Sequence, residues 1–143
     1  SRASIDKMQA NEYRYQGNKG ERIPQSVGKL IINPGIRVLP SFFCQNYWDL
    51  REVCLPEGLI EIAQYAFHNC LNLLEITIRS TVESIGEYAF FECKRLANVE
   101  FELSLSSPHH QLKTIDGMAF NQCLSLERIK IPSSVNVIGE YAF

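Results

Sequence analysis

The chain is short of net charge. Its 14 Lys and Arg stand against 16 Asp and Glu, a formal balance of −2, so no strong field draws in nucleic acid or an anionic membrane. Most of its aromatic residues are not interleaved with Lys and Arg, which argues against a stacking platform for single-stranded nucleic acid. No stretch approaches the ~18 apolar residues of a membrane-spanning helix. P-loop, dinucleotide-binding, zincin and nucleophile-elbow motifs are all missing, and nothing points to a cofactor or a catalytic site. The first residues, SRASIDKMQANEY, hold no apolar stretch of a signal peptide, and the lack of an initiating Met points to a longer natural N-terminus. No Asn-x-Ser/Thr site occurs, and the five cysteines are odd in number. Both features favour an intracellular or organellar setting over a secreted, disulfide-built one.

What the chain has is a repeat. IGEYAFFECKRLANVEF, Ile85 to Phe101, follows IAQYAFHNCLNLLEITI, Ile62 to Ile78, by 23 residues and precedes IDGMAFNQCLSLERIKI, Ile115 to Ile131, by 30. A further copy, IGEYAF, runs from Ile138 to Phe143. A fixed period in the twenties marks a solenoid, in which each coil buries its apolar face on its neighbours.

The apolar positions Val27, Leu30 and Ile32 recur 23 residues on as Leu50, Val53 and Leu55, and again as Leu73, Ile76 and Ile78, then as Leu96, Val99 and Phe101. After a step of 30 they reappear as Leu126, Ile129 and Ile131. This spacing predicts five stacked parallel strands with those positions facing inward. A second apolar pair follows each strand: Ile36 and Leu39, Leu59 and Ile62, Val82 and Ile85, Leu112 and Ile115, Val135 and Ile138. It predicts a short strand on the opposite wall. Gly86 and Gly139 would permit the turn into the Ala-Phe box, and the box itself reads as one helical or 3-10 turn. Ala66, Ala89 and Ala119 are small for close packing, and Phe67, Phe90 and Phe120 fill the space between the walls.

The skeleton I-x-x-x-A-F-x-x-C-x-x-L-x-x-[IV]-x-[IF] resembles the BspA-like leucine-rich repeats, over about Val27 to Phe143. It departs from them at Phe43-Cys44, which stand where Ala-Phe is expected, and in the insertion after Phe101. The resemblance implies an α/β solenoid: a right-handed superhelix of about five repeats with parallel strands. It also implies a binding module of unassigned ligand, in a family known from bacterial surface proteins, so a cell-surface setting is the alternative.

Residues 1–26 lie outside the repeat, and residues 27–143 form the solenoid. Glu12 to Gln16 alternates, and Gly17 and Gly20 bracket a polar turn, as in a short strand or hairpin that caps the first coil. Residues 1–10 are expected to be a disordered tail. The seven extra residues of the 102–111 insertion, ELSLSSPHHQ, read as a tolerated solvated loop or as a functional one. The last copy stops before its Cys and strand, so Ile131, Ile138 and Phe143 are expected to border an open apolar end, in a fragment of a longer chain or beneath a partner.

Cys70, Cys93 and Cys123 share one column. The geometry would admit a disulfide between two of them or a soft metal among three, but a row of buried small hydrophobes is the favoured reading. A zinc site needs about four convergent ligands, and His68 is expected outside. Cys54 sits at an outward strand position as a candidate reactive thiol. His109 and His110 are adjacent, point different ways and have no acidic or Cys partner nearby in sequence.

Packing leaves the outward strand positions free, and there the repeats stop agreeing. These positions make a candidate binding face of Glu52, Cys54, Leu74, Glu75, Thr77, Asn98, Glu100, Arg128 and Lys130, with an acidic middle and a basic end. Pairing of Glu100 with Lys130 is the ordinary alternative. The expected function is non-catalytic recognition of a protein, or of a glycan, on that face. The alternative is a structural subunit that docks through its open end.

Overall fold

The computed structural model describes residues 11–103 and 107–143. The coils stack into two walls. On the long-strand wall lie β1 (Glu12–Tyr15), β2 (Lys29–Ile32), β4 (Glu52–Cys54), β6 (Glu75–Arg79) and β8 (Asn98–Glu102). On the short-strand wall lie β3 (Val38–Leu39), β5 (Glu61–Ile62), β7 (Ser84–Ile85), β9 (Thr114–Ile115) and β10 (Val137–Ile138). All pairings among the described residues are parallel. Most neighbouring strands keep the 23-residue register, as in Lys29 opposite Glu52 and Glu75 opposite Asn98, while Glu12 lies opposite Lys29 and Ser84 opposite Thr114. Each short strand holds the second member of its predicted apolar pair, and Leu39, Leu59, Ile62, Val82 and Ile85 are fully buried.

The alternation along the long strands has the predicted phase. Leu30, Ile32, Val53, Leu55, Ile76, Ile78 and Val99 face the core, and the residues between them face outward. The column Phe67, Phe90, Phe120 and Phe143 runs along the core with centroids 5.3, 5.0 and 5.6 Å apart and planes within 14°. Where Ala-Phe gives way to Phe43-Cys44, Phe43 meets Phe67 edge-on at 6.3 Å and Cys44 takes the buried place of the phenyl ring.

Three expectations are corrected. The Ala-Phe box is not helical, and no helix occurs among the described residues. Each full box places two residues four apart in the left-handed region, such as Tyr65 (φ 57°) and Asn69 (φ 61°), or Tyr88 (φ 56°) and Glu92 (φ 58°). A left-handed residue at that interval breaks a right-handed helix. The N–H groups instead donate to the next coil: Tyr65 to Glu87 O at 3.0 Å, Phe67 to Ala89 O at 2.7 Å and Asn69 to Phe91 O at 2.8 Å.

The role of Gly86 is also different. Its φ is not positive, but a Cβ there would stand 2.6 Å from Gln64 N and 2.7 Å from Ala63 C, so close approach of two backbones is what demands glycine. Gly139 lies on Gly117 in the same way.

Of the short strand or hairpin expected in the N-terminal segment, the strand is what forms. β1 pairs in parallel with β2, and the Glu21 carboxylate accepts hydrogen bonds from the N–H groups of Gln16 and Asn18 and from Tyr13 Oη. Finally, the predicted fifth long strand is absent. Residues 126–131 form no strand and do not pair with β8, and Leu126, Ile129 and Ile131 are only partly buried.

Residues 1–10, where a disordered tail was expected, and residues 104–106 of the insertion lie outside the described residues. The rest of the insertion is anchored. Ser80 Oγ donates to Ser107 O at 2.9 Å, and Gln111 N–H donates to Ser80 O at 2.8 Å.

Candidate binding face on the long-strand wall

Glu52 and Cys54 on β4, Glu75 and Thr77 on β6, and Asn98 and Glu100 on β8 share one face, because strand side chains alternate and these coils repeat the same phase. Leu74 precedes β6, and Arg128 and Lys130 lie past β8 where no strand forms. Glu52, Leu74, Glu75, Asn98, Glu100, Arg128 and Lys130 are exposed, whereas Cys54 and Thr77 are half-buried. Register sets Glu75 beside Asn98 and Thr77 beside Glu100. Asn98 Nδ2 donates to Glu100 Oε1 at 3.1 Å. Leu74, 42% exposed, is the apolar member of the face.

The charges are less free than the sequence implied. Glu52 is 2.9 Å from Lys29 Nζ, and this hydrogen-bonded ion pair raises the pKa of Lys29. Arg79 likewise pairs with Glu102. Lys29, Arg79 and Glu102 were not among the candidates. The signal that finds them is opposite charge at the repeat spacing of 23, which places the partners side by side on adjacent strands. What stays acidic is therefore Glu75 and Glu100. The expected pairing of Glu100 with Lys130 does not occur, since Glu100 is held by Asn98 and an open cleft lies between β8 and residues 128–130.

Cys54 Sγ lies 3.7 Å from Glu52 Oε1. Burial first, and then the carboxylate, raise its pKa above the ordinary thiol value. That is the reverse of what an activated nucleophile needs.

The other cysteines have a role that the sequence does not display. Cys70 Sγ donates to Cys44 O at 3.1 Å, Cys93 Sγ to Phe67 O at 3.2 Å and Cys123 Sγ to Phe90 O at 3.2 Å. Each thiol thus ties one coil to the backbone of the coil before it. Tyr47 holds the same place in its coil, 23 residues before Cys70, and its hydroxyl donates to Ile23 O at 2.8 Å. Burial pushes Cys70 and Cys123 up to about 12, and Cys93 well above the ordinary value. All five cysteines are free thiols, and among the described residues no group of three His, Cys, Asp or Glu could hold a metal ion.

His68 is half-buried rather than outside. Tyr65 meets it edge-on at 5.4 Å, Phe91 stacks on it at 5.5 Å, and Gln45 Nε2 is 3.0 Å from its Nδ1. Burial lowers its pKa. It belongs to an aromatic ladder along the box corner, Phe42, Tyr65 and Tyr88, with rings 5.1 and 4.8 Å apart and nearly parallel. Because these rings spend their faces on one another, they offer little flat surface for a sugar. His110 sets its ring edge-on to Phe101 at 6.4 Å.

A family profile described as a BspA type leucine-rich repeat region of six copies matches residues 26–143. The chain belongs to the BspA-type leucine-rich repeat family. Leucine-rich repeat proteins of this kind are generally protein-interaction modules and generally non-catalytic. Among solved structures, a leucine-rich repeat protein from Eubacterium ventriosum is 25% identical, with a TM-score of 0.69, and the match covers 82% of this chain and 30% of that one. The pneumococcal vaccine antigen PcpA is 24% identical with a TM-score of 0.70, covering 91% and 31%. A leucine-rich repeat protein from T. pallidum is 26% identical with a TM-score of 0.54, covering 90% and 45%. The chain thus spans less than half the length of each of these proteins. No curated protein sequence matches it. No helix among its described residues is long and apolar enough to cross a membrane.

Proposed function

We propose that the chain is a non-catalytic recognition module that holds a protein partner on the outward face of β2, β4, β6 and β8. The observation that carries this reading is the contrast within each strand. Core-facing positions are aliphatic or aromatic and nearly all buried, whereas outward positions differ from coil to coil and are exposed or half-buried. A glycan is the second class of ligand. The unpaired acidic residues Glu75 and Glu100, with Arg128 and Lys130 beyond them, would orient a charged partner, which sets encounter rate and register more than affinity.

Reversing Glu52 and Glu75 to Lys tests this. The double variant should stay folded, with only the small loss of stability expected from breaking the exposed Lys29–Glu52 pair, yet recover fewer partners from a lysate of the source cells, most clearly at low salt. Equal recovery by both proteins would sink the face as the binding surface.

A second reading, docking through the end of the solenoid as an accessory subunit, is favoured by one observation. Leu124 and Tyr141 are each 70% exposed there, beside Val137 and Ile138. Arg substitutions at Leu124 and Tyr141 should abolish a stoichiometric complex if that end docks, and should leave capture on the strand face unchanged if it does not.

A further inference from the structure

The two walls part company at one place. On the short-strand side β9 and β10 are paired, and Asn136 N–H reaches Lys113 O at 3.0 Å. On the long-strand side the last backbone bond across the same two coils, among the described residues, is Ser125 N–H to Lys94 O at 3.2 Å. Beyond it the coils open into a cleft of about 540 Å³, lined by Asn98 to Glu102 on one side and Arg128 to Lys130 on the other. That volume lies within the roughly 300–1,000 Å³ of ordinary ligand sites.

One side of the cleft is the free edge of β8, and the other is a segment that forms no strand. Asn98 N–H points to Leu74 O on the β6 side, and backbone groups along a strand point alternately to its two neighbours. Val99 and Phe101 therefore turn their N–H and C=O groups toward the cleft. Residues 128–130 make no backbone bond across it among the described residues, so their N–H and C=O groups are also unspent on β8. Unpaired edges of this kind are templates for another strand.

The charges point the same way. Where coils are adjacent, outward neighbours pair directly, as Lys29 does with Glu52 at 2.9 Å. Glu100 and Lys130 stand at such neighbouring positions, but the cleft keeps them apart. Arg128 and Lys130 have no ion-pair or hydrogen-bond partner among the described residues.

We infer that this cleft takes an extended peptide as an added parallel strand between β8 and residues 128–130. The inference rests on the reading of this wall as the binding face, and it names the partner as a peptide segment read mainly through its backbone. About five residues match β8, each advancing ~3.3 Å. Their inward side chains, between Val99 and Ile129, are small and apolar. Their outward side chains are acidic beside Arg128 and hydrogen-bonding between Glu100 and Lys130.

The test uses the dye-labelled heptapeptide SEVTVTS and fluorescence anisotropy. Two analogues carry N-methyl groups on alternate backbone nitrogens, each blocking bonds to one side of the cleft. Saturable binding of the parent peptide is expected, weakened about tenfold or more in both analogues, as the loss of two hydrogen bonds implies. Arg128→Glu should weaken SEVTVTS and favour SKVTVTS, and Glu52→Lys with Glu75→Lys should change neither. No saturable binding up to about 1 mM, or equal binding of parent and N-methylated peptides, overturns strand addition. If peptide binding fails while the Glu52 and Glu75 reversal still cuts partner capture, the face stands and the cleft falls. Peptide binding together with capture indifferent to that reversal would mean the opposite.

Discussion

The short-strand wall is one continuous five-stranded sheet, β3-β5-β7-β9-β10, although its strands have only two residues each. The long-strand wall has strands of up to five residues, yet it divides into β1-β2-β4, β6-β8 and an unpaired last segment. Strand length therefore does not decide which wall holds together. Corner packing offers a reason. Next to the short strands, Gly86 and Gly139 lie on the backbone of the preceding coil, and buried Ala66, Ala89 and Ala119 accept inter-coil bonds of 2.6 to 2.8 Å. With almost no side chain between them, the backbones there have one spacing available. On the other wall, Leu, Ile, Val and Phe side chains share the space, and small offsets between coils open gaps such as the one beyond β8.

If the closely packed side and the core set the solenoid's stability, damage there should dominate. Phe90→Ala removes a fully buried ring from the stacked column and should cost about 3–5 kcal/mol. In a chain of this size that lowers the melting temperature by roughly 10 °C or more. A shift of a degree or two in a thermal melt would show that the column is not structural. Gly86→Ala comes next. Its new methyl would meet backbone at 2.6 Å, and forced overpacking costs about 1–3 kcal/mol. Glu75→Lys, on the opposite wall, should stay within about 0.5 kcal/mol. Similar losses from the two changes in urea unfolding would erase the distinction between the walls.

The thiols sharpen it further. Native protein should react with a thiol reagent at Cys54 alone, while Cys44, Cys70, Cys93 and Cys123 wait for unfolding, because burial withholds them and raises their pKa values. Fast reaction at a second site, mapped by mass spectrometry, would mean that the core side also opens.

The smallest effect lies at β1. Backbone N–H groups, chiefly that of Gln16, hold the Glu21 carboxyl below its ordinary 4.5. A depressed folded-state pKa adds stability that is complete above the ordinary value and fades as pH falls through the lower one. The amide signals of Glu12 to Tyr15 should therefore shift on acidification before those of β7. Simultaneous loss of both would show that Glu21 does not pin β1.

How much of this was legible beforehand follows from the period. Leu30, Val53, Ile76 and Val99 were readable as core, and Phe67, Phe90 and Phe120 as a column, because packing repeats identically in every coil and writes itself into the sequence. The ion pairs of Lys29 with Glu52 and Arg79 with Glu102 were also written there, as opposite charges at the same spacing. The stacking of Phe42, Tyr65 and Tyr88 was visible as a recurring aromatic two places before the box Phe.

The sequence alone thus determined the coil, its inward columns and the outward positions available for binding, since each depends on contacts that recur every repeat. Only the tertiary structure decided how far apart the coils stand at each corner. That spacing turned the expected helical box into left-handed turns bonded to the next coil. It made the cysteine column a set of donors to neighbouring carbonyls. It also left Glu100 and Lys130 facing each other across a cleft. The physical reason is that inter-coil distance sums small backbone and side-chain offsets from all four corners, and no repeating letter records that sum.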